Sequence, residues 1–131
     1  MEQYLIDSNA VSHYLSGLLP DDGMVFLDGV INQIPIISVI TQIELLSWKT
    51  ASGRLVEDFV NDSQVLAITP DVVKICVKIR RERKVKTPDA IIAATAIANN
   101  LTLITDNEKD FVNIPNLKVI NPKNINSNPG L

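Results

Sequence analysis

The feature that most constrains the fold is a helical segment, residues 87–99, that is apolar on every side. From Ala90 to Ala98 every residue except Thr95 is apolar, so no polar face is left for solvent. A helix that is hydrophobic all round is stable only when other parts of the protein surround it. The segment therefore predicts an interior helix and a chain with enough secondary structure to cover it.

The rest of the chain alternates short apolar runs with amphipathic helical segments. Strands are expected at residues 3–7, 35–38, 64–68, 101–105 and 117–120. Helices are expected at residues 8–16, 21–34, 38–50, 55–60, 72–79 and 87–99. This order predicts an α/β fold, with a mostly parallel sheet covered by helices on both faces. Thr87 is the expected N-cap of the interior helix, and Asp21 or Asp22 the expected N-cap of the second.

Composition narrows the class of protein. The 131 residues fit one domain, expected at 1–122, with a loose polar tail at 123–131. The single cysteine, Cys76, excludes an internal disulfide and a Cys-based zinc site, and its place on an apolar helix stripe predicts a core position.

The opening "MEQYLIDSN" has neither a basic region nor a long apolar run. A cytoplasmic protein without a membrane segment is the expectation.

Acidic residues fall where parallel strands end. Asp7 closes the first strand, Asp106 follows the fourth, and Asp110 lies one helical turn further on. Asp89 opens the interior helix, and Glu44 lies two turns into the helix after the second strand. Each acid alone has an ordinary role as a cap, a turn residue or a solvated side chain. Gathered at one sheet edge they would repel each other, and a hard divalent cation, Mg²⁺ or Mn²⁺, would relieve that repulsion.

Four stretches resemble the successive signatures of the PIN-domain ribonucleases, and in particular the VapC-like toxins: "YLIDSNAVSHYL", "IISVITQIELL", "TPDAIIAATAIANNLTLITDNEKDF" and "IPNLKVINP". The resemblance runs from Tyr4 to about Pro122. It implies a three-layer sandwich around a five-stranded sheet, and an acidic Mg²⁺ or Mn²⁺ site that hydrolyses single-stranded or looped RNA to 5′-phosphate and 3′-hydroxyl ends. It also implies a cognate antitoxin and a homodimer.

The resemblance also implies a set of site residues. Its metal ligands fall on Asp7, Glu44, Asp89 and Asp110. A further catalytic position falls on Asp106 or Asn107, because the strand end favours Asp106 whereas counting back from Asp110 favours Asn107. Both alternatives stay open, and Asp106 is kept with the four ligands as a catalytic candidate.

Candidate substrate contacts lie beside these acids. Seven of the twelve Lys and Arg residues fall between Lys74 and Lys86, with Glu82 the only acid among them, although the net charge of the chain is −3. Such a run is either a solvated helix face or a track for RNA phosphates, and the sequence favours neither. The residues expected to contact substrate or to support the site are Ser8, Asn9, Asn107, Arg83 and Lys86.

Two other classes of protein compete with a ribonuclease. One is a PIN-like domain without catalysis that serves as a protein-interaction module, which retention of the core acids argues against. The other is a phosphoacceptor receiver domain, which needs an acid pair near the first strand and a lysine after the last, whereas only Asp7 ends the first strand. The single histidine, His13, has no acid–base partner evident in the sequence and is expected to be a packing or surface residue.

Overall fold

The computed structural model describes residues 2–49 and 53–125. Its strands are β1 (Tyr4–Ile6), β2 (Ile36–Ser38), β3 (Gln64–Leu66), β4 (Thr102–Ile104) and β5 (Val119–Ile120). Its α-helices are α1 (Ser8–Leu15), α2 (Asp21–Asn32), α3 (Val39–Ser47), α4 (Gly53–Asp62), α5 (Pro70–Glu82) and α6 (Thr87–Ala98). Short 3₁₀ helices lie at Glu108–Phe111 and Pro122–Asn124. The α/β alternation predicted from the sequence is confirmed. Thr50, the expected end of α3, lies outside the described residues.

The strands form two sheets, so the predicted single five-stranded sheet is wrong. β4 lies between β1 and β5, and β2 pairs with β3; every pairing is parallel. β2 lies beside β1, but no ladder joins them in the described structure. Strands of two or three residues form few ladder hydrogen bonds, so a small rotation between neighbours is enough to leave them unpaired.

α6 is the interior helix that its composition predicts. Ala90, Ala93, Ala94 and Ala96 have no exposed surface, and α6 packs on α5, α3 and β4. The hydroxyl of Thr95, the one polar residue in the run, donates to the Ile91 carbonyl at 2.7 Å. Its hydrogen bond is therefore satisfied within the helix, and burying it carries little cost.

The predicted N-caps of two helices are wrong by one residue or two. The Ala90 N–H donates to the Lys86 carbonyl at 2.9 Å, which places Thr87 inside α6 and makes Lys86 the N-cap. The Met24 N–H likewise donates to the Pro20 carbonyl at 2.9 Å, which places Asp21 and Asp22 in the first turn of α2. Both acids remain at the positive end of that helix dipole, where a carboxylate is favourable without acting as a cap.

The C-terminal end of α6 sets the start of β4. Asn100 has a φ of 54°, and its N–H donates to the Ile97 carbonyl at 3.2 Å. The Leu101 N–H donates to the Ala96 carbonyl at 2.8 Å. These two bonds satisfy the last carbonyls of the helix in a Schellman arrangement, for which Asn is a suitable left-handed residue.

The described chain closes with a segment packed on α2. The 3₁₀ helix Pro122–Asn124 contacts α2, and Pro122 is buried. A Cβ atom at Gly23 would lie 2.1 Å from the Pro122 carbonyl oxygen, so this approach requires glycine. The remainder of the expected tail, residues 126–131, lies outside the described residues. Within the described ranges no helix is long and apolar enough to cross a membrane.

Candidate active site

Asp7 follows the last residue of β1, lies at the carboxyl edge of the sheet and is the N-cap of α1. Its Oδ1 accepts from the Ser8 N–H at 2.8 Å, and its Oδ2 accepts from the Thr105 hydroxyl at 2.9 Å. Only 5% of Asp7 is exposed. Burial raises the pKa of Asp7 from 3.8 to about 6; hydrogen bonds from Thr105 and Ser8 oppose the rise, and the charges of Glu44 and Asp89 add to it.

Carboxylates from other elements lie near Asp7 and Asp89: Glu44 and Asp89 act on Asp7, and Asp110 and Glu44 act on Asp89. The Ser8 hydroxyl donates to Glu44 Oε1 at 3.0 Å, which ties the acid on α3 to the start of α1. Burial raises the pKa of Asp89, as do the charges of Asp110 and Glu44, while Lys86 opposes the rise. The structure thus brings together the four acids that the family resemblance assigns as ligands: Asp7, Glu44, Asp89 and Asp110.

Asn107 lies with this group of acids, whereas the side chain of Asp106 turns away from it. The Asn107 side-chain amide donates to Asp110 Oδ2, and its N–H donates to the Thr105 hydroxyl at 3.1 Å. The Asp106 carboxylate instead contacts His13 Nδ1, and it lies 3.2 Å from Lys123 Nζ. Of the two positions left open by the sequence, Asn107 is therefore the one beside the acids.

Sequence reasoning missed the partner of His13. The sequence predicted a packing or surface residue, but the imidazole contacts Asp106, which is 93 positions further along the chain. No spacing or periodicity links two residues so far apart. The only available signal was that both follow strands, β1 and β4, which pair directly.

The donors at this edge suit a hard cation. They are carboxylate and amide oxygens, and a divalent ion would offset both the burial that raises the pKa of Asp7 and Asp89 and the smaller repulsion between the acids. In the described part of the chain no three His, Cys, Asp or Glu side chains are placed to hold one ion together. Mg²⁺ usually keeps several waters and takes one or two carboxylates. The donor set therefore fits a hydrated ion held by few direct ligands.

A cleft of about 530 Å³ opens beside Asp89 and Asp110. The cations on its wall are Arg83, Lys84, Lys86 and Lys109. The basic run divides here, because Lys74, Lys78 and Arg81 line a separate groove along α5. Lys109, which comes from the 3₁₀ helix after β4, is a cleft residue that the basic run could not reveal.

Comparison with known proteins identifies the family and the fold. A family model described as the PIN domain matches residues 4–117. A chain of a toxin–antitoxin complex from Klebsiella pneumoniae is 32% identical with a TM-score of 0.74, and the match covers 94% of this chain and 100% of that one. A chain of VapBC2 from Rickettsia felis, bound to a DNA fragment from its promoter, is 26% identical with a TM-score of 0.74, over 90% of this chain and 97% of that one.

A third solved structure shows the same fold at lower identity. A chain of DNA-bound VapBC from Salmonella typhimurium is 22% identical with a TM-score of 0.76, over 93% of this chain and 99% of that one. No curated protein matches this chain in sequence.

Proposed function

This chain belongs to the PIN-domain family, among its VapC-like members, and on that premise we propose that it is a divalent-metal-dependent endoribonuclease. The observation that carries the proposal is the convergence of Asp7, Glu44, Asp89 and Asp110 beside an open cleft with a basic wall. A structural role alone does not account for this arrangement, since four unneutralised carboxylates lower the stability of the fold that holds them.

Each acid has a proposed role. Asp7 and Asp89 would hold Mg²⁺ or Mn²⁺ directly, and Glu44 would hold it through a water, because no three acids of the described residues are placed to hold one ion together. Asp110 would orient a water or a second ion. When bound, the ion supplies Lewis acidity and lowers the pKa of a bound water. The Ser8 hydroxyl fixes the orientation of Glu44, since it donates to Oε1 at 3.0 Å.

The basic cleft supplies the attraction that an acidic site lacks. RNA carries one negative charge per phosphate and is repelled by the four carboxylates, so binding requires cations along its path. Arg83, Lys84, Lys86 and Lys109 line the cleft that Asp89 and Asp110 enter. We assign the phosphate backbone of the substrate to this cleft.

The proposed biological setting is a type II toxin–antitoxin pair. The proteins from Klebsiella pneumoniae and Rickettsia felis that this chain resembles come from a toxin–antitoxin complex and from VapBC2. We propose a cognate antitoxin as the inhibitory partner of this chain and a homodimer as its assembly.

The chemistry of the product ends tests the proposed reaction. Metal-assisted hydrolysis of a labelled single-stranded RNA should leave 5′-phosphate and 3′-hydroxyl ends, because water and not the ribose 2′-hydroxyl attacks the phosphorus. Asp89→Asn should yield no product, whereas Asp71→Asn, at an exposed acid in the first turn of α5, should cut normally. Products ending in 2′,3′-cyclic phosphate would contradict the mechanism. A protein that cuts no RNA and binds no Mn²⁺ would be an interaction module.

A further inference from the structure

Asp106 contacts basic side chains from two other segments of the chain. Its side chain is 7% exposed and lies between His13 on α1 and Lys123 on the 3₁₀ helix Pro122–Asn124. His13 Nδ1 and Asp106 Oδ2 are both buried, and the polar atoms that approach Asp106 Oδ2 in the described part of the chain are His13 Nδ1 and Lys123 Nζ. A buried carboxylate is costly unless it is paired, so this contact constrains the loop after β4.

That loop is joined to Asp7 through the side-chain amide of Asn9. The Asp106 N–H and the Thr105 hydroxyl both lie 3.3 Å from Asn9 Oδ1, to which they donate. Asn9 Nδ2 donates in turn to Asp7 Oδ2, also at 3.3 Å. The oxygen of the amide faces the loop and its nitrogen faces the acid, so a shift of the loop alters the support of Asp7.

We propose that Asp106 is a positioning residue and not a metal ligand. Its cluster with His13 and Lys123 holds Asn9, and through Asn9 it holds Asp7. The segment after β5 thereby becomes part of the support of the site, because Lys123 reaches Asp106 only while Pro122 is seated over Gly23. The consequence for hydrolysis rests on the proposed function, whereas the positioning of Asn9 does not.

Lys123→Met tests the cluster, with Lys118→Met as the matched control. Both lysines are exposed, both variants remove one positive charge, and the carboxylate near Lys118 is that of Glu2 and not Asp106. In metal-free protein, Lys123→Met should shift the NMR signals of the Asn9 side-chain amide and the Asp106 backbone amide, and Lys118→Met should leave both unchanged. Lys123→Arg should restore the wild-type signals.

The rate of RNA cleavage gives a second test of the contact between Lys123 and Asp106. Lys123→Met should lower kcat and leave KM unchanged, and the fall should be smaller than the roughly 10- to 100-fold loss usual for a direct partner of a metal ligand, which here is Asn9. Asp106→Asn should act in the same direction and should weaken Mn²⁺ binding in calorimetry without abolishing it.

Three results would overturn the proposal. Loss of Mn²⁺ binding in Asp106→Asn as complete as that in Asp7→Asn would make Asp106 a ligand. Unchanged Asn9 signals in both Lys123→Met and Asp106→Asn would show that the cluster positions nothing. A fall in kcat that Lys118→Met reproduces would assign the effect to net charge. If the wild-type chain neither binds Mn²⁺ nor cuts RNA, the proposed function fails, and the Asn9 signals still decide the positioning.

Discussion

Asp7 carries a charge whose burial opposes folding in the absence of a cation. Its pKa of about 6 exceeds the ordinary 3.8, so the folded protein binds this proton more tightly than the unfolded chain does. The resulting stability is fully present below pH 3.8 and is lost as the pH rises through about 6. A difference of about two pKa units corresponds to roughly 3 kcal/mol. The residue is therefore placed at a cost to stability, as expected for a functional group.

Asp7→Asn should raise the unfolding free energy of metal-free protein at about pH 7.5. The gain is bounded by about 3 kcal/mol and is reduced by the loss of the hydrogen bonds that Oδ2 accepts from Thr105 and Asn9, while Asn keeps the cap of α1. At about pH 4 the gain should nearly vanish, because the wild-type side chain is then mostly protonated when folded. Denaturant unfolding in EDTA at the two pH values measures the difference. An equal effect at both values, or a variant less stable than wild type at the higher pH, would contradict the account.

Individual site residues were only partly predictable. The place of Asp7 at the carboxyl edge of the sheet follows from its position at the end of β1, whereas that of Asp89 depends on how α6 packs and was expected from the family resemblance. The choice between Asp106 and Asn107 did not follow, since adjacent residues in a loop point in different directions. That direction is set here by His13 and Lys123, two partners that no local pattern reveals.

At the scale of elements, composition predicted burial well and predicted surface roles poorly. The apolar run of α6 has one physical solution, a helix enclosed by protein. The basic run between Lys74 and Lys86 is compatible with several surface roles, because it continues from α5 into the loop before α6. Only its loop residues, Arg83, Lys84 and Lys86, reach the cleft with Asp89, and the helical residues face another groove.

Arg83→Glu/Lys84→Glu should weaken RNA binding and flatten its salt dependence. Removing one cation that neutralises a phosphate of a single strand lowers the slope of log K against log salt by about 0.7, so the pair should lower it by about 1.4. Turnover at saturating RNA should change little, because these interactions are shared by the ground and transition states. Lys74→Glu/Lys78→Glu, which changes charge equally on the other groove, is the control. Equal slopes for the two double variants would exclude the cleft as the RNA track.

Ala93→Leu should destabilise the protein by about 1–3 kcal/mol. Ala93 has no exposed surface on a helix packed by protein on several sides, so three additional carbon atoms must displace neighbours. Ala98→Leu, at the exposed last residue of α6, should have little effect. Chemical denaturation of the two variants measures the difference, and a neutral Ala93→Leu would show that α6 is less tightly enclosed than the structure indicates.

At the scale of the whole molecule, topology was predictable and sheet continuity was not. Alternating strands and helices fix parallel pairing, whereas the missing ladder between β1 and β2 in the described residues depends on a few hydrogen bonds at the ends of very short strands. Which apolar side chains stay exposed was also not predictable from the helical periodicity. Val56, Phe59 and Val60 of α4 are buried, while Ile43 and Leu46 on α3 are 57% and 51% exposed.

The α3–α4 surface, defined by Ile43, Leu46 and Leu55, is the proposed homodimer contact. Its three large side chains are exposed, and apolar surface gathered on two packed helices favours association. Leu46→Glu/Leu55→Glu should convert a dimer to a monomer in light scattering at micromolar concentration. Leu18→Glu, at an exposed leucine after α1, should not. A wild-type chain that is monomeric across that range would refute the proposed assembly.

The dependence of RNA cleavage on Mg²⁺ tests most directly whether these acids form a metal-dependent hydrolase. Single-turnover cleavage of a labelled single-stranded RNA is measured across a Mg²⁺ titration for wild type, Asp89→Asn and Asp71→Asn. The account predicts saturating activation for wild type and Asp71→Asn, no cleavage in EDTA, and no detectable product for Asp89→Asn, which lacks the charge of a direct ligand. Cleavage that persists in EDTA, or an Asp89→Asn variant that reaches the wild-type rate at saturating Mg²⁺, would contradict it.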